Sequence, residues 1–562
     1  MDLSAPTNVP APLREAAMRW IADDPDPGDR AELQRVLAAA MGAQPGALAE
    51  LTDRMSAPLS FGTAGLRGPL RAGPAGMNLA VVRRTAAGVA AYLHDLRATG
   101  GVVVVGHDAR HRSDEFAAEV AKVLSAKGFR ALLAPAALPT PVTAFAARAL
   151  DAVAGIQITA SHNPPQDNGI KVYLQGGSQL VGPADEQIEA AIRAAGPAVS
   201  IQASGTPLPW PDDLVDRYQQ RAASLARGAS RTLRIAATPM HGVGGQTLVN
   251  TLHLAGFSDV QVVGEQAVPD PDFSTVAFPN PEEPGATDLL LALAEKIGAD
   301  LAIANDPDAD RCAIGVRDSD GRWRMLTGDE TGALLGEHLL AGLDRAAHPD
   351  PLVATTIVSS QLLRHIAAAH QARYDETLTG FKWIVRAGDG QGTGLVYGYE
   401  EALGLCVDPD AVRDKDGISA AVLACDLAAG LKAAGRTIPD ALDDLARAHG
   451  LHTTGAVSVR VTDLSLIGAA MARMRSGLPS QLGGAPITEA RNLLPRTDAI
   501  VIRTENARVI IRPSGTEPKL KCYLEVVTPV PPDTTDLAEL RASAATELAG
   551  LKQAVAQLVG LS

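Results

Sequence analysis

The chain has 562 residues, 46% hydrophobic and 20% charged, the balance of an ordinary soluble globular protein with about four domains. Lysine plus arginine number 50 against 64 aspartates plus glutamates, a net charge of −14 with no basic block or aromatic-basic stripe, which excludes nucleic acid and anionic membrane as expected partners. Cys312, Cys406, Cys425 and Cys522 form no CxxC pair, so neither a disulfide framework nor a zinc site is expected, and a reducing compartment is.

The first 50 or so residues read as mainly helical and can wrap the first domain. Their start, MDLSAPTNVPAPLREAAMRW, lacks a basic stretch followed by an apolar core, so no signal peptide and a cytoplasmic location are expected. A Gly-rich loop with one arginine, Arg67, follows in FGTAGLRG at 61–68. Four valines at 102–105 read as a buried strand ahead of His107 and Asp108, which are expected to support a neighbouring loop. A helix is expected over 114–127. The uncharged run 131–147 is broken by prolines and too short to span a bilayer.

A buried strand over 153–158 leads into TASHNPPQDNGIKVY. Pro164 and Pro165 disfavour helix for the residues before them, so Thr159 to Pro165 form an extended loop past a strand end, where ligands of open α/β sheets bind. Asn168-Gly169 reads as a turn, and Ile170 to Tyr173 as a returning strand that puts Lys171 on the face opposite Ile170 and Val172. A hydroxyl on a stiff loop beside a cation suits a nucleophile or a phosphorylated serine. A turn in which Ser161 and Asn163 bond local backbone is the plainer alternative for this stretch by itself.

Buried-strand runs at 235–237, 260–263, 301–304 and 352–355 alternate with helical stretches such as 287–297, which argues for α/β domains with largely parallel sheets. NDPDADR follows the strand at 301–304. Asp306, Asp308 and Asp310 alternate, so a curved loop can converge three carboxylates, and an all-oxygen ligand set suits a hard cation such as Mg²⁺. An EF-hand needs Gly and Glu where this chain has Arg311 and Arg317. The pair Glu400-Glu401 in GYEEALG, at a strand end, can bind sugar hydroxyls or exchange protons. The glycines at 388, 390, 392 and 394 have the wrong spacing for a nucleotide loop and read as a surface turn. RPSGTEPKLK at 512–521 offers hydroxyls and close N–H groups for an anion, with Arg512 able to fork onto a phosphate. Strand runs between 446 and 530 and a closing helix over 537–558 mark an α+β unit.

Taken together and in this order, FGTAGLRG, TASHNPPQDNGIK, DPDADR, YEEALG and RPSGTEPKLK resemble the α-D-phosphohexomutase superfamily, the phosphoglucomutase/phosphomannomutase enzymes. The resemblance covers nearly the whole chain. It implies an α/β protein of four domains around a central cleft: three similar α/β domains with mixed, largely parallel sheets and a C-terminal α+β domain. The expected divisions are 1–205, 206–320, 321–445 and 446–562. It implies an isomerase, an intramolecular phosphotransferase acting on a phosphosugar, with Mg²⁺ as cofactor and glucose 1,6-bisphosphate as activator and intermediate. A monomer or weak homodimer is expected.

Residue by residue, the resemblance implies that Ser161 is phosphorylated and that Asp306, Asp308 and Asp310 hold Mg²⁺ with it. Arg67, Lys171 and Arg311 would surround the transferring phosphoryl group, with Lys171 or an acidic neighbour as general base. His162 is either catalytic or loop-ordering. Lys382, in TGFKW, and Glu400 would meet the sugar, with Ala402 beside them. Arg512, Ser514, Gly515 and Thr516 would grip the phosphate that is not reacting. Many members have Ser where this chain has Ala402 and lack an aromatic like Tyr399. With DKDG at 414–417 this looks more like the branch of phosphoglucomutases of the second type, phosphopentomutases and glucose-1,6-bisphosphate synthases. Glucose is the leading sugar; mannose, ribose and deoxyribose phosphates are the alternatives.

Overall fold

A computed structural model describes residues 9–62, 65–461, 464–514 and 519–560. The chain forms two compact bodies. The first gathers Met1–Leu225, Arg234–Cys312 and Asp410–Val422; the second gathers Ala226–Leu233, Ala313–Pro409 and Leu423–Ser562.

In the first body, three helices, Ala11–Asp23, Pro27–Met41 and Ala47–Arg54, open the fold. They bury Leu33, Leu37 and Leu51 in a small core of their own. Arg112 pairs with Asp26 at 2.6 Å and Asp29 at 2.9 Å and fastens this helical segment to the α/β part.

Val103, Val104 and Val105 are fully buried because their strand, Val102–His107, is central and covered on both faces. It runs parallel to Arg130–Leu133 on one side and Ala154–Ile158 on the other. Past Ala154–Ile158 the sheet turns antiparallel, through Asp167–Leu174 and Gly65–Pro69 to Phe61–Gly62. The sheet is therefore mixed. The connection 159–166 is shorter than the roughly dozen residues that a parallel crossover needs, so the chain can only double back. A second, parallel set in this body places Arg234–Thr238 between Asp259–Val262 and Leu301–Ala304.

Asn168-Gly169 is not the turn its composition suggests. Both residues lie inside the strand Asp167–Leu174, opposite Gly68 and Arg67. The Asn168 side chain is buried and donates to the His111 carbonyl and the Ser113 hydroxyl, each at 2.9 Å. Gly169 is needed for close approach, since a Cβ there would sit 2.5 Å from the Leu66 carbonyl oxygen and 2.7 Å from that of Thr159.

In the second body, Ala313–Arg317 and Trp323–Met325 form a hairpin whose turn is Asp318–Gly321, with Gly321 at φ +81°. Leu352–Thr356 lies between the parallel strands Arg373–Thr377 and Leu395–Glu400, and Gly404–Cys406 adds an antiparallel edge. The last domain is an antiparallel sheet of Leu451–Arg460, Lys519–Thr528, Ala507–Pro513, Ile500–Arg503 and Glu489–Asn492. The helix Ala538–Val559 packs Leu548, Leu551 and Val555 onto it. The four glycines 388 to 394 all take positive φ, as a winding loop requires. Among the described residues no single helix is long and apolar enough to cross a membrane.

Candidate active site

Ser161 sits in the loop that doubles back between Ala154–Ile158 and Asp167–Leu174. Its backbone is left-handed, φ +56°, a conformation that costs a non-glycine residue about 1 kcal/mol or more and persists only where the surroundings over-determine it. Two features do so. The Ser161 N–H donates to Thr159 Oγ1 at 2.8 Å. The Arg110 guanidinium then donates to four carbonyls of the loop: Ser161 (2.7 Å), Asn163 (2.6 Å), Pro164 (2.7 Å) and Asp167 (3.1 Å). Arg110 is buried and its Nε lies 3.3 Å from Asp108 Oδ2. Asp108 also accepts from Ser113 Oγ at 2.6 Å. Asp108 thus supports the loop through Arg110, a residue that sequence reasoning passed over.

The Ser161 hydroxyl donates to Asp306 Oδ2 at 3.1 Å and lies 3.2 Å from His162 Nδ1. The other ring nitrogen, Nε2, is 3.5 Å from Arg311 Nη2. A guanidinium only donates, so Nε2 accepts and Nδ1 carries the hydrogen that points at Ser161. Burial, then Arg311 and Arg67, hold the imidazole well below its ordinary pKa, so it is neutral.

Asp306, Asp308 and Asp310 converge after the strand Leu301–Ala304. Each is fully buried, and one oxygen from each lies within 4.8 Å of the others. Ala309, at φ +56°, provides the bend. Thr140, at the start of the helix Thr140–Ala149, donates its N–H to the Asp308 carbonyl at 2.9 Å and its hydroxyl to Asp308 Oδ2. Lys171, 0% exposed, holds Asp308 Oδ2 and Asp310 Oδ2 at 2.6 Å each. Lys415 adds a contact to Asp310 Oδ2 at 3.4 Å.

The electrostatics separate the three carboxyls. Burial and the charges of Asp308 and Asp310 push Asp306 well up. Burial raises Asp308 and Asp310 as well, but Lys171 with Thr140 on Asp308, and Lys171 with Lys415 and Arg311 on Asp310, together hold both down. Burial would lower Lys171; the two carboxylates more than offset that and raise it. The ammonium is therefore protonated and doubly paired.

The donor set fits a hard divalent cation. It is all oxygen, and Asp308 Oδ1 and Asp310 Oδ1 are buried with no hydrogen-bond partner among the described residues. The surrounding cations are Arg67, Lys171, Arg311 and Lys415. Arg67 donates to Asn163 Oδ1 at 3.1 Å, and Arg311 also reaches Glu282 at 3.2 Å.

The remaining candidates lie in the second body. Glu400 ends the strand Leu395–Glu400 opposite Gly404 and is half-buried. Its neighbour Glu401 accepts from Thr356 Oγ1 at 3.2 Å and Ser359 Oγ at 3.1 Å, so the fold holds that carboxylate in place. Ala402 is half-buried on the turn, ahead of Leu403 at φ +63°. Lys382 lies on the short helix Phe381–Ile384, its ammonium 6.0 Å from the Trp383 ring centre. Arg512 is in the strand Ala507–Pro513, and the Ser514 N–H donates to the Lys519 carbonyl at 2.8 Å. Gly515 and Thr516 lie outside the described residues. Tyr399 is fully buried: its hydroxyl donates to Asp329 Oδ1 at 3.1 Å, and its ring packs on Gly332, where a Cβ would come within 2.4 Å.

Four domain profiles of one family match in order. They are "Phosphoglucomutase/phosphomannomutase, alpha/beta/alpha domain I" at 58–198, domain II at 213–321, domain III at 327–449 and "C-terminal domain" at 457–531. The chain belongs to the phosphoglucomutase/phosphomannomutase family. Within it, the chain is 43% identical to a protein of Haemophilus influenzae named "Probable phosphomannomutase", over 80% of this chain and 93% of that one. It is 32% identical to a mouse phosphopentomutase over 96% of both chains. It is 32% identical to a Staphylococcus aureus phosphoglucomutase over 85% of this chain and 92% of that one. A solved family protein from Burkholderia thailandensis shares the fold, with TM-score 0.67 and 19% identity over 89% of this chain and 97% of that one. The Ser161 loop lies in the matched domain I and the aspartate loop in the matched domain II.

Proposed function

We propose that this protein is a phosphosugar mutase that interconverts glucose 1-phosphate and glucose 6-phosphate through a phosphoserine at Ser161 and a bisphosphorylated sugar. The observation that carries the reading is the Ser161 hydroxyl, held in a left-handed bend, 3.1 Å from a buried three-aspartate cluster. The likeness to mutases named for three different sugars supports phosphosugar chemistry as the shared element.

Charge supports the same reading. Three carboxylates face four cations, Arg67, Lys171, Arg311 and Lys415. A phosphoryl group on serine adds about −1.5 to −2 and a divalent cation adds its opposite, so both can enter without unbalancing a buried site. Asp306, Asp308 and Asp310, with the serine phosphate, would hold Mg²⁺. When bound, the ion draws charge from the phosphoryl oxygens and orients them.

The chain's own residues supply the rest. In the forward step the Ser161 Oγ–P bond breaks and a bond forms to the free sugar hydroxyl. In the return step the sugar's other phosphoryl group is transferred back to Ser161 Oγ. His162 donates toward Oγ and stabilises it as the leaving oxygen. Arg67 and Arg311 offset charge on the equatorial oxygens. Lys171 acts as a fixed ammonium balancing Asp308 and Asp310, so the proton of the attacking hydroxyl passes to an acidic neighbour. Glu400, Lys382 and the turn at Ala402 address the sugar, and Arg512, Ser514, Gly515 and Thr516 the distal phosphate.

A pentose reading, ribose or deoxyribose 1- and 5-phosphate, is favoured by the phosphopentomutase likeness over 96% of both chains. Mannose phosphate and glucose-1,6-bisphosphate synthesis use the same serine chemistry. The test is kcat/KM for glucose, mannose, ribose and deoxyribose 1-phosphates, with Mg²⁺ and glucose 1,6-bisphosphate present. A glucose preference of tenfold or more over every other sugar (about 1.4 kcal/mol) supports the proposal. A pentose preference replaces it, and wild-type turnover by Ser161→Ala overturns the phosphoserine route.

A further inference from the structure

Away from this site, the second body brings together three histidines that no step above uses. His365 lies on the helix Leu362–Ala369, His449 ends the helix Ile438–His449, and His452 is in the strand Leu451–Arg460. The His365 ring centre is 5.6 Å from that of His452 and 6.4 Å from that of His449.

His452 is the fixed member. Its side chain is 2% exposed and its Nδ1 lies 2.8 Å from Glu525 Oε1. Glu525 is itself anchored, its Oε1 accepting from Ser360 Oγ at 2.6 Å and the Gln361 N–H at 2.9 Å. Burial would raise this carboxyl, but His452 and those donors hold it down, so it is ionised and only accepts. Nδ1 must therefore carry a hydrogen, which leaves Nε2 as the open ligand atom. Nε2 is buried with no hydrogen-bond partner among the described residues. A buried polar atom without a partner costs about 1–3 kcal/mol, and a carboxylate on one imidazole nitrogen with the other left open is the arrangement of a metal-ligating histidine.

We propose that His365, His449 and His452 bind one divalent transition-metal ion of the imidazole-preferring class, with Zn²⁺ as the reference case. Burial, the neighbouring imidazoles and Arg364 hold His365 below its ordinary pKa, and burial does the same for His449. Glu337, which pairs with His370 at 3.0 Å and acts electrostatically on His449, adds negative charge nearby. The rings stand wider apart than the aspartate oxygens do. His365 is exposed on its helix, and binding requires its side chain to turn toward the other two. The ligand chemistry is nitrogen rather than the all-oxygen set of the aspartates, so the two sites select different ions. A bound ion would tie the helix carrying His365 to the helix and strand carrying the other two.

The test is a Co²⁺ titration of the full-length protein in excess Mg²⁺, followed by visible absorption. Nitrogen-ligated four-coordinate Co²⁺ absorbs strongly, and octahedral oxygen-ligated Co²⁺ weakly. One equivalent is expected to develop the strong bands. His365→Ala, an exposed change that leaves folding intact, and His449→Ala should each weaken binding by about 10-fold or more. Asp308→Asn should retain the bands. Absence of strong bands in the parent protein, bands unchanged in His365→Ala, or bands lost in Asp308→Asn would each overturn the site.

Discussion

The guanidinium of Arg110 donates to the carbonyl of Ser161 at 2.7 Å, and with three further carbonyls it holds the loop in a shape the serine would not adopt by itself. Arg110→Lys keeps a buried positive charge beside Asp108 but has no planar fork to bridge four acceptors. Mutase activity should fall about 100-fold, the loss expected when a reacting atom shifts by roughly 1 Å. Steady-state kinetics with circular dichroism as a fold check decides it. Activity within threefold of the parent would show that the loop holds its bend without the clamp.

Lys171 and the aspartates compensate each other in a dry site. Lys171→Met leaves Asp308 and Asp310 as buried like charges, and removing one partner of a buried ion pair costs about 3–5 kcal/mol. A divalent cation can take over the lost charge. Added Mg²⁺ is therefore expected to raise the Tm of Lys171→Met by more than it raises that of the parent. Equal Mg²⁺ shifts in calorimetry would contradict the charge pairing described here.

Asp416 provides a pH signature. Burial pushes its carboxyl up to about 6, against hydrogen bonds from Ser419, Tyr218 and Ile418. A raised carboxyl binds its proton more tightly in the folded state than in the unfolded one, so its penalty is full above pH 6. The penalty is relieved as pH falls from about 6 toward 4. Tyr218 at 2.8 Å and the Ile418 and Ser419 N–H groups at 3.0 Å all point at Oδ1, so an asparagine can keep these three bonds. Asp416→Asn should be more stable than the parent at pH 7 by on the order of 1–3 kcal/mol, and equal to it near pH 4. Urea unfolding across that range checks the sign.

Tyr399 invites exchange as a specificity residue because it precedes the acidic pair. Its hydroxyl is spent on Asp329, which also accepts from the Ser360 N–H at 2.7 Å. Tyr399→Phe should cost about 1 kcal/mol of stability and leave the ratio of kcat/KM between glucose and ribose 1-phosphates unchanged. A shift of that ratio by fivefold or more would make Tyr399 a determinant of sugar choice.

Local chemistry made the two loops of the first body readable. Alternating aspartates after a buried strand suit a cation, and paired prolines after Ser161 disfavour helix, so residue type and spacing located both loops, while the roles expected of them came from the resemblance of all five motifs together. What stayed hidden depends on partners distant in sequence. Lys171 reads as a phosphate ligand until Asp308 and Asp310 are seen at 2.6 Å. Arg110 follows an ordinary valine strand, and nothing local says that its targets lie 51 to 57 residues later. Asn168-Gly169 has turn composition, yet a buried amide and a close backbone crossing give the same two residues a place in a strand. The short connection between Ile158 and Asp167 contains the information that this part of the sheet must be antiparallel, and alternation of strands and helices alone does not convey it.

Lys415, Asp414 and Asp416 belong to the first body although they fall within the stretch matched as the family's third domain, 327–449. Lys415 meets Asp310, Asp414 accepts from Tyr173 at 2.9 Å, and Asp416 accepts from Tyr218. Transplanting that stretch from a relative, to alter which sugar is taken, would also exchange the counter-charge of the aspartate loop and two anchors of buried tyrosines. A chimaera meant to change selectivity alone must therefore leave residues 410–422 behind, and its crossover points are set by this excursion of the chain rather than by the borders of the domains.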